Sequence, residues 1–502
     1  MNVQSFTVYD IFKRNARIHK NQTAIISDNR KISFKELFDQ VNSIAGWLKA
    51  NGIKKGDRIA VLAKNHQHFL TLIGGAAASG AIMVPINFRL TADEILYNLT
   101  NTEPIMIFVD PDYEKTIFDL RSACPSLREF VTFGPPGGNF TSFDFILNSQ
   151  PVEGVAISGD DPFVIIHTAA VQGKPRGALI SHHNLIACSI QTISLFGLTP
   201  EDTYLNILPL FHIVGIVAAL TIMHVGGKNI IIPKFDPKIA LQLINQFNVT
   251  FIGDFPPILA NLLDESEASG IRLSPLRHVP GIDLPETIKR FESKGHGQFW
   301  LVYGQTETMG LTTLCPNSER PGSAGRPGPL VDLKIVDEFD REVDVGKVGE
   351  IVIRGPLVFR GYWREEELTK HTFREGWHHT GDAGRLDEEG YLWFAGRKAE
   401  KELIKPGGEN VYPAEVEKVI LEHPGVKEVS VIGVPDPKFG EGVKAVCALK
   451  PNVKITEQEL IDFVAARIAR YKKPGYVEFI DSLPKKEDGS IDRAKVKELY
   501  GK

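Results

Sequence analysis

Up to about Gly325, short uninterrupted apolar runs alternate with longer amphipathic ones, and no other feature of this chain restricts its fold as strongly. Leu37, Val41, Ile44 and Leu48 recur at helical spacing behind Ser33 and Glu36, a pair of capping-box type, and Asn51-Gly52 ends the run. The apolar runs Ile59 to Ala63, Ile82 to Pro85 and Ile105 to Val109 follow, with a second capping pair at Thr91 and Glu94 between the last two. The pattern returns at Phe163 to His167, Asn229 to Ile232 and Val249 to Ile252. Continuous apolar strands are buried on both faces, which parallel strands joined through covering helices achieve. The expected class is therefore α/β.

Beyond Gly325 the texture changes to closely spaced glycines and alternating stretches such as Gly349 to Gly355, the pattern of short antiparallel strands with tight turns. From Lys398 onward the charge balance turns slightly positive and the pattern becomes mixed α and β, with the Lys-rich stretch Lys398 to Lys405 as the linker candidate. The length of 502 residues suits about three units, some fused around one core.

A net charge of −5 without long basic runs gives no electrostatic footprint for duplex nucleic acid. Cys124, Cys188, Cys315 and Cys447 are too dispersed for a zinc ribbon or redox motif, and read as buried thiols in a reducing, cytoplasmic setting. Met1 to Asn15 shows no apolar core behind a basic segment, so no secretory signal is expected. Phe69 to Ile86 is uncharged but diluted by Gly74, Gly75, Gly80 and alanines. It reads as a buried helix running into a strand, and no transmembrane segment is expected.

Three local features carry chemistry. After the strand Phe163 to His167 comes Thr168-Ala169-Ala170-Val171-Gln172-Gly173-Lys174-Pro175-Arg176-Gly177, a glycine-bearing turn with two basic side chains that could hold an anion. It is not the Walker pattern, and on physics alone a plain surface turn is equally open. Tyr303-Gly304-Gln305-Thr306-Glu307 offers a ring face, close backbone approach, a hydroxyl and a carboxylate able to hold Mg²⁺. Thr380-Gly381-Asp382, with Gly396-Arg397 shortly after, could accept from ribose hydroxyls. A capped turn between strands accounts for each in isolation.

Taken in order with Pro209-Leu210-Phe211-His212, Trp377-His378-His379 and Gly407-Gly408-Glu409-Asn410-Val411-Tyr412-Pro413, these features resemble the adenylate-forming superfamily of acyl-CoA synthetases, peptide-synthetase adenylation domains and luciferases. The resemblance runs from about Phe6 to Tyr500, and its glycine loop looks most like that of acyl-CoA ligases. It implies a large amino-terminal domain, 1–396, of parallel-type sheets with helices plus a small distorted β-barrel. A hinge at 397–401 and a smaller mobile α+β domain, 402–502, would follow. The implied activity is an AMP-forming acyl-CoA synthetase using ATP, Mg²⁺ and coenzyme A on a small-molecule carboxylic acid.

By the same resemblance Thr306, Glu307 and His212 are catalytic, with Glu307 on the metal. Thr168, Gly173 and Lys174 belong to the phosphate loop. Gly281, Tyr303, Gly304 and Gln305 bind the cofactor, with Gly281 beside adenine and Tyr303 stacking on it, and Thr306 contacts the AMP phosphate. Asp382 and Arg397 bind ribose, and Gly407, Gly408 and Glu409 lie along the pantetheine channel. Lys401 corresponds to the hinge position, separated from Arg397 by Lys398-Ala399-Glu400, two residues more than in the common pattern. Phe211, His212, Ile213, Gly215, Gly253, Asp254, Phe255, Met309 and Gly310 would surround the acid. Asp254 suits either a polar substituent or a helix cap.

The chain departs from the family pattern in three places. Ala169, Ala170, Val171 and Gln172 stand where the phosphate loop has hydroxyls and a glycine. Pro280-Gly281-Ile282-Asp283 replaces Gly-Gly-Ala-Pro. Ser490, in Asp488-Gly489-Ser490-Ile491-Asp492-Arg493, occupies the place of the catalytic lysine, with Lys485 and Lys486 nearby as substitutes. A serine cannot supply that positive charge, whose loss commonly costs about 10²–10³ in rate. Two readings follow: an acid–CoA ligase with a modified loop, or an adenylation-deficient homologue that binds nucleotide or acyl-CoA or performs only the thioester half-reaction. The joint persistence of Glu307, Asp382, Arg397 and the glycine loop favours the first.

Overall fold

A computed structural model describes residues 6–28, 30–135, 137–168, 175–397, 403–486 and 490–502. The apolar runs become the middle of an eight-stranded sheet, in the spatial order 361–362, 176–181, 162–168, 82–85, 58–62, 106–109, 129–132 and 141–142. Strands Ile82–Pro85, Arg58–Leu62 and Met106–Val109 pair in parallel and are almost wholly buried, as continuous apolar strands must be. Pro162–Thr168 extends this sheet in parallel and then pairs antiparallel with Arg176–Ser181.

Helices Phe34–Ala50 and Gln67–Ser79 cover one face. A Cβ on Gly74 would lie 2.3 Å from Val41 Cγ2, and one on Gly75 2.3 Å from Ile44 Cγ2. The glycines that dilute this apolar stretch are thus where the two helices approach each other. The stretch is a buried helix leading to a strand, as its composition suggests, and no helix among the described residues is long and apolar enough to cross a membrane.

The capping pairs differ. Thr91 and Glu94 form the full reciprocal box. Ser33 accepts from the Glu36 backbone N–H at 3.1 Å, but the Glu36 carboxylate turns to Arg30 at 3.0 Å, so that box is half made.

Two four-stranded groups make the second layer: 203–206, 228–231, 23–27 and 30–33, and then 278–281, 298–303, 313–316 and 326–327. Val249 to Ile252, expected as a strand, forms none. Phe251 instead makes single bridges to Tyr204 on one side and His278 on the other and joins the groups.

Asp332–Val336, Gly349–Arg354, Trp377–Leu386 and Leu392–Arg397 form the expected antiparallel sheet. After the segment 398–402, which lies outside the described residues, strands Val426–Asp436, Gly440–Leu449 and Tyr476–Ile480 pack with helices Pro413–Leu421 and Glu457–Ala465 around a separate core. All four cysteines are buried free thiols.

Candidate active site

The carboxyl ends of Pro162–Thr168 and Gln298–Tyr303 open into a cavity of about 830 Å³, the usual place for ligands in sheets of this kind. The large unit supplies most of its wall, and the small unit closes it with Gly407, Gly408 and Glu409. Gly304 turns the chain at the mouth, where a Cβ would come within 2.4 Å of the Gly310 carbonyl carbon. That close approach carries Gln305, Thr306 and Glu307 onto the wall.

Glu307 is buried, and its Oε1 accepts the Tyr362 hydroxyl at 2.9 Å. Burial first, and the Glu307 carboxylate second, push the Tyr362 hydroxyl well above its ordinary range, so it remains a donor. Among the described residues no three or more His, Cys, Asp or Glu side chains cluster to hold a metal. One carboxylate suits Mg²⁺ bound mainly through substrate phosphates and water, rather than a metal in an all-protein cage.

Asp382 Oδ2 accepts from the Tyr303 hydroxyl at 3.0 Å and from Gln305 Nε2 at 2.5 Å. Its Oδ1 is buried with no hydrogen-bond partner among the described residues, 4.0 Å from Arg397 Nε. An orphaned acceptor at a cavity wall matches a ligand hydroxyl, because leaving it unpaired costs about 1–3 kcal/mol. Tyr303 is set back from the wall: its ring belongs to a core with Ile335, Ile351 and Leu392, and its hydroxyl steadies Asp382. The stacking face expected of it is turned to protein here.

His212, also on the wall, precedes the helix Ile213–Val225, with Nε2 3.3 Å from Glu409 Oε2. Burial, and then Arg89, push His212 down to about 3, so its ring is neutral. Glu409 also accepts from Arg89, and from Asn87 at 3.4 Å. Gly407 and Gly408 have φ of 56° and 84° and fit closely, since added Cβ atoms would lie 2.9 Å from the Pro256 carbonyl oxygen and 3.0 Å from Phe255 Cδ1.

Thr168, His212, Gly281, Gly304 to Glu307, Asp382, Arg397 and Gly407 to Glu409 therefore share one cavity. Gly173, Lys174, the replaced positions 169–172 and Lys401 lie outside the described residues. Of the expected acid-pocket residues, His212, Ile213, Gly253, Phe255 and Gly310 line the cavity; Phe211, Gly215, Asp254 and Met309 do not. Asp254 is a cap: its Oδ1 accepts the Leu259 N–H at 3.0 Å, at the start of the helix Ile258–Ser269. Ser490, Lys485 and Lys486 are also off the wall, and Lys485 pairs with Glu428 at 2.7 Å. Arg89, Asn87 and Tyr362 escaped the sequence reading, because each acts on a residue far away in the chain and stands in no local pattern.

Residues 12–363 match the model of the AMP-binding enzyme family, and 415–490 that of the AMP-binding enzyme C-terminal domain. Over 501 residues the chain is 32% identical to indoleacetate–CoA ligase of Aromatoleum aromaticum, with 97% of each chain covered. A double mutant of o-succinylbenzoate CoA synthetase from Bacillus subtilis, bound with its product analogue OSB-NCoA, matches with a TM-score of 0.86 at 27% identity and 99% coverage of each chain. The same synthetase in complex with the acyl-adenylate intermediate OSB-AMP gives 0.72 at 27% identity over 99% of each chain.

Proposed function

The chain belongs to the AMP-binding enzyme family, and from that premise we propose how its residues divide the work of an AMP-forming acid–CoA ligase. A carboxylate oxygen of the acid attacks the α-phosphorus of ATP and pyrophosphate leaves. The CoA thiol sulfur then attacks the acyl carbon, the C–O bond to AMP breaks, and the thiol proton is released to solvent. The observation that carries this reading is one cavity whose wall includes both the Glu307 and Asp382 set and the Gly407–Glu409 loop.

Asp382 Oδ1 is the acceptor for a ribose hydroxyl, with Arg397 beside it. Thr306 contacts the AMP phosphate, and Glu307 would hold Mg²⁺, which would supply neutralisation of phosphate charge. Neutral His212, tied to Glu409, orients the loop along which the pantetheine arm enters. The acyl part faces Ile213, Gly253 and Phe255 with apolar neighbours such as Ile207 and Val214, which suits an aromatic or aliphatic acid. The expected hinge between 1–396 and 402–502 falls, apart from Arg397, outside the described residues, and the unpaired thiols suit the cytoplasm.

The small unit stands here in the thioester-forming pose. In support, the match to the synthetase carrying a CoA product analogue is 0.86, against 0.72 for its acyl-adenylate complex. Ser490, standing where the family pattern has a lysine, favours a second reading in which adenylation is slow and thioester formation brisk.

The test is purified protein with CoA, Mg²⁺, ATP and a panel of aromatic and aliphatic acids, reading AMP release and thioester separately, beside synthetic acyl-adenylate with CoA alone. Thioester in both arms is expected. Thioester from the synthetic adenylate only would establish the second reading, and binding without thioester in either arm would leave a binding protein. Where Ser490 limits adenylation, Ser490→Lys should raise only the ATP-dependent rate.

A further inference from the structure

One buried lysine, itself off the cavity wall but flanked by Tyr471 and Lys473 that line it, joins the two units. Lys472, only 4% exposed, places its Nζ 2.6 Å from Glu94 Oε1 and 2.8 Å from Glu415 Oε2. Glu94 belongs to the helix Ala92–Thr102 of the large unit, and Glu415 to the helix Pro413–Leu421 of the small one.

Both carboxylates are capping-box residues with one oxygen already in use. Glu94 Oε2 accepts from the Thr91 backbone N–H at 2.8 Å and from its hydroxyl at 3.0 Å. Glu415 Oε1 accepts the Tyr412 N–H at 3.1 Å. The oxygens that remain converge on one ammonium, so both acceptors are held in place before Lys472 arrives, and little side-chain entropy is lost in pairing.

Burial opposes the ammonium, but Glu415 and Glu94 outweigh it, and the Lys472 pKa is raised. Glu415 travels with Lys472 in the same unit, so the lysine keeps one partner however the small unit sits. Only the Glu94 contact depends on the pose. Because a buried charge pair returns much of its Coulombic gain as desolvation cost, breaking that contact into water is reversible, as a movable unit requires.

We propose that Lys472 is a positioning residue for thioester formation, latching the small unit to Glu94 in the pose that sets Gly407–Glu409 on the cavity wall. The proposal rests on the acid–CoA ligase reading. The capping positions come from one pair of helices, Gly407–Glu409 from the loop that leads into the second of them, so fixing Glu415 against Glu94 fixes that loop as well.

The experiment compares wild type, Glu94→Gln, Lys472→Met and Lys472→Arg in the two half-reactions. Glu94→Gln keeps an amide oxygen for the Thr91 cap while removing the charge, so the fold is retained even where Lys472→Met fails to accumulate. Thioester formation from synthetic acyl-adenylate and CoA should fall about tenfold in Glu94→Gln and Lys472→Met, while pyrophosphate release from acid and ATP stays within about twofold. Lys472→Arg should recover most of the thioester rate. Small-angle scattering should report a more extended average arrangement for the two charge-deleting variants.

Equal losses in both half-reactions, or an unchanged thioester rate, overturn the latch. Should wild type show no half-reaction with any acid, the ligase reading fails by itself, and scattering still judges the contact. A profile unchanged in Glu94→Gln then overturns the latch as a pose-setting device.

Discussion

Glu307 spends one carboxylate oxygen on the Tyr362 hydroxyl at 2.9 Å, so any cation it meets is met by a side chain already fixed in direction. Glu307→Gln preserves shape and still accepts from Tyr362 through the amide oxygen, but it withdraws the charge a hard cation requires. Turnover should fall by about 10²–10³, as for other preorganised electrostatic groups, with the far-ultraviolet circular dichroism and melting temperature little changed. Full activity in this variant would remove Glu307 from the metal role. The local motif made Glu307 and Asp382 legible as acids, since a carboxylate next to a tight turn is visible in any window of five residues. It could not tell which way Tyr303 faces: that side chain lies on a strand whose two faces look to the cavity and to a core containing Ile335 and Leu392.

Among elements, the loop Pro406–Glu409 is held by shape. Gly408 sits at a φ of 84°, where a residue with a Cβ costs about 1–2 kcal/mol, and its added carbon would meet Phe255 at 3.0 Å. Gly408→Ala should therefore depress thioester formation from acyl-adenylate by about tenfold or more, while the ATP-dependent first half-reaction is spared. Rapid-quench measurement of both half-reactions checks this, and an equal effect on each would mean that the loop serves the whole site. Capping shows how far such elements can be read in advance. Thr91 and Glu94 close on each other because nothing stronger competes. Glu36 has the same spacing from Ser33 but is drawn to Arg30, which the strand pairing of 30–33 brings alongside.

For the molecule as a whole, buried neutral histidines set the response to acid. Burial is the main cause holding both His68 and His182 down to about 3, against an ordinary value of 6.5. Above pH 6.5 the folded and unfolded states are alike neutral there; between about 6.5 and 3 the unfolded chain binds protons that the folded chain refuses. Stability must then decline as pH falls through that window, by up to about 1.4 kcal/mol per pH unit for each histidine. Calorimetric melting from pH 7.5 to 4.5 should show the melting temperature dropping below pH 6.5, less steeply in His182→Gln; a flat profile would contradict the buried neutral state. The sequence by itself determined what local spacing and burial enforce: parallel strands from continuous apolar runs, the change to antiparallel texture after Gly325, and the motifs that gather at one cavity. Tertiary structure alone decided what depends on partners distant in the chain. Phe251 became a bridge between two sheets rather than a strand, Asp254 became a helix cap, and Lys472 met Glu94 across 378 positions. Hydrophobic periodicity is a property of neighbours in sequence, whereas an ion pair or an orphaned carboxylate oxygen exists only once folding has chosen its surroundings.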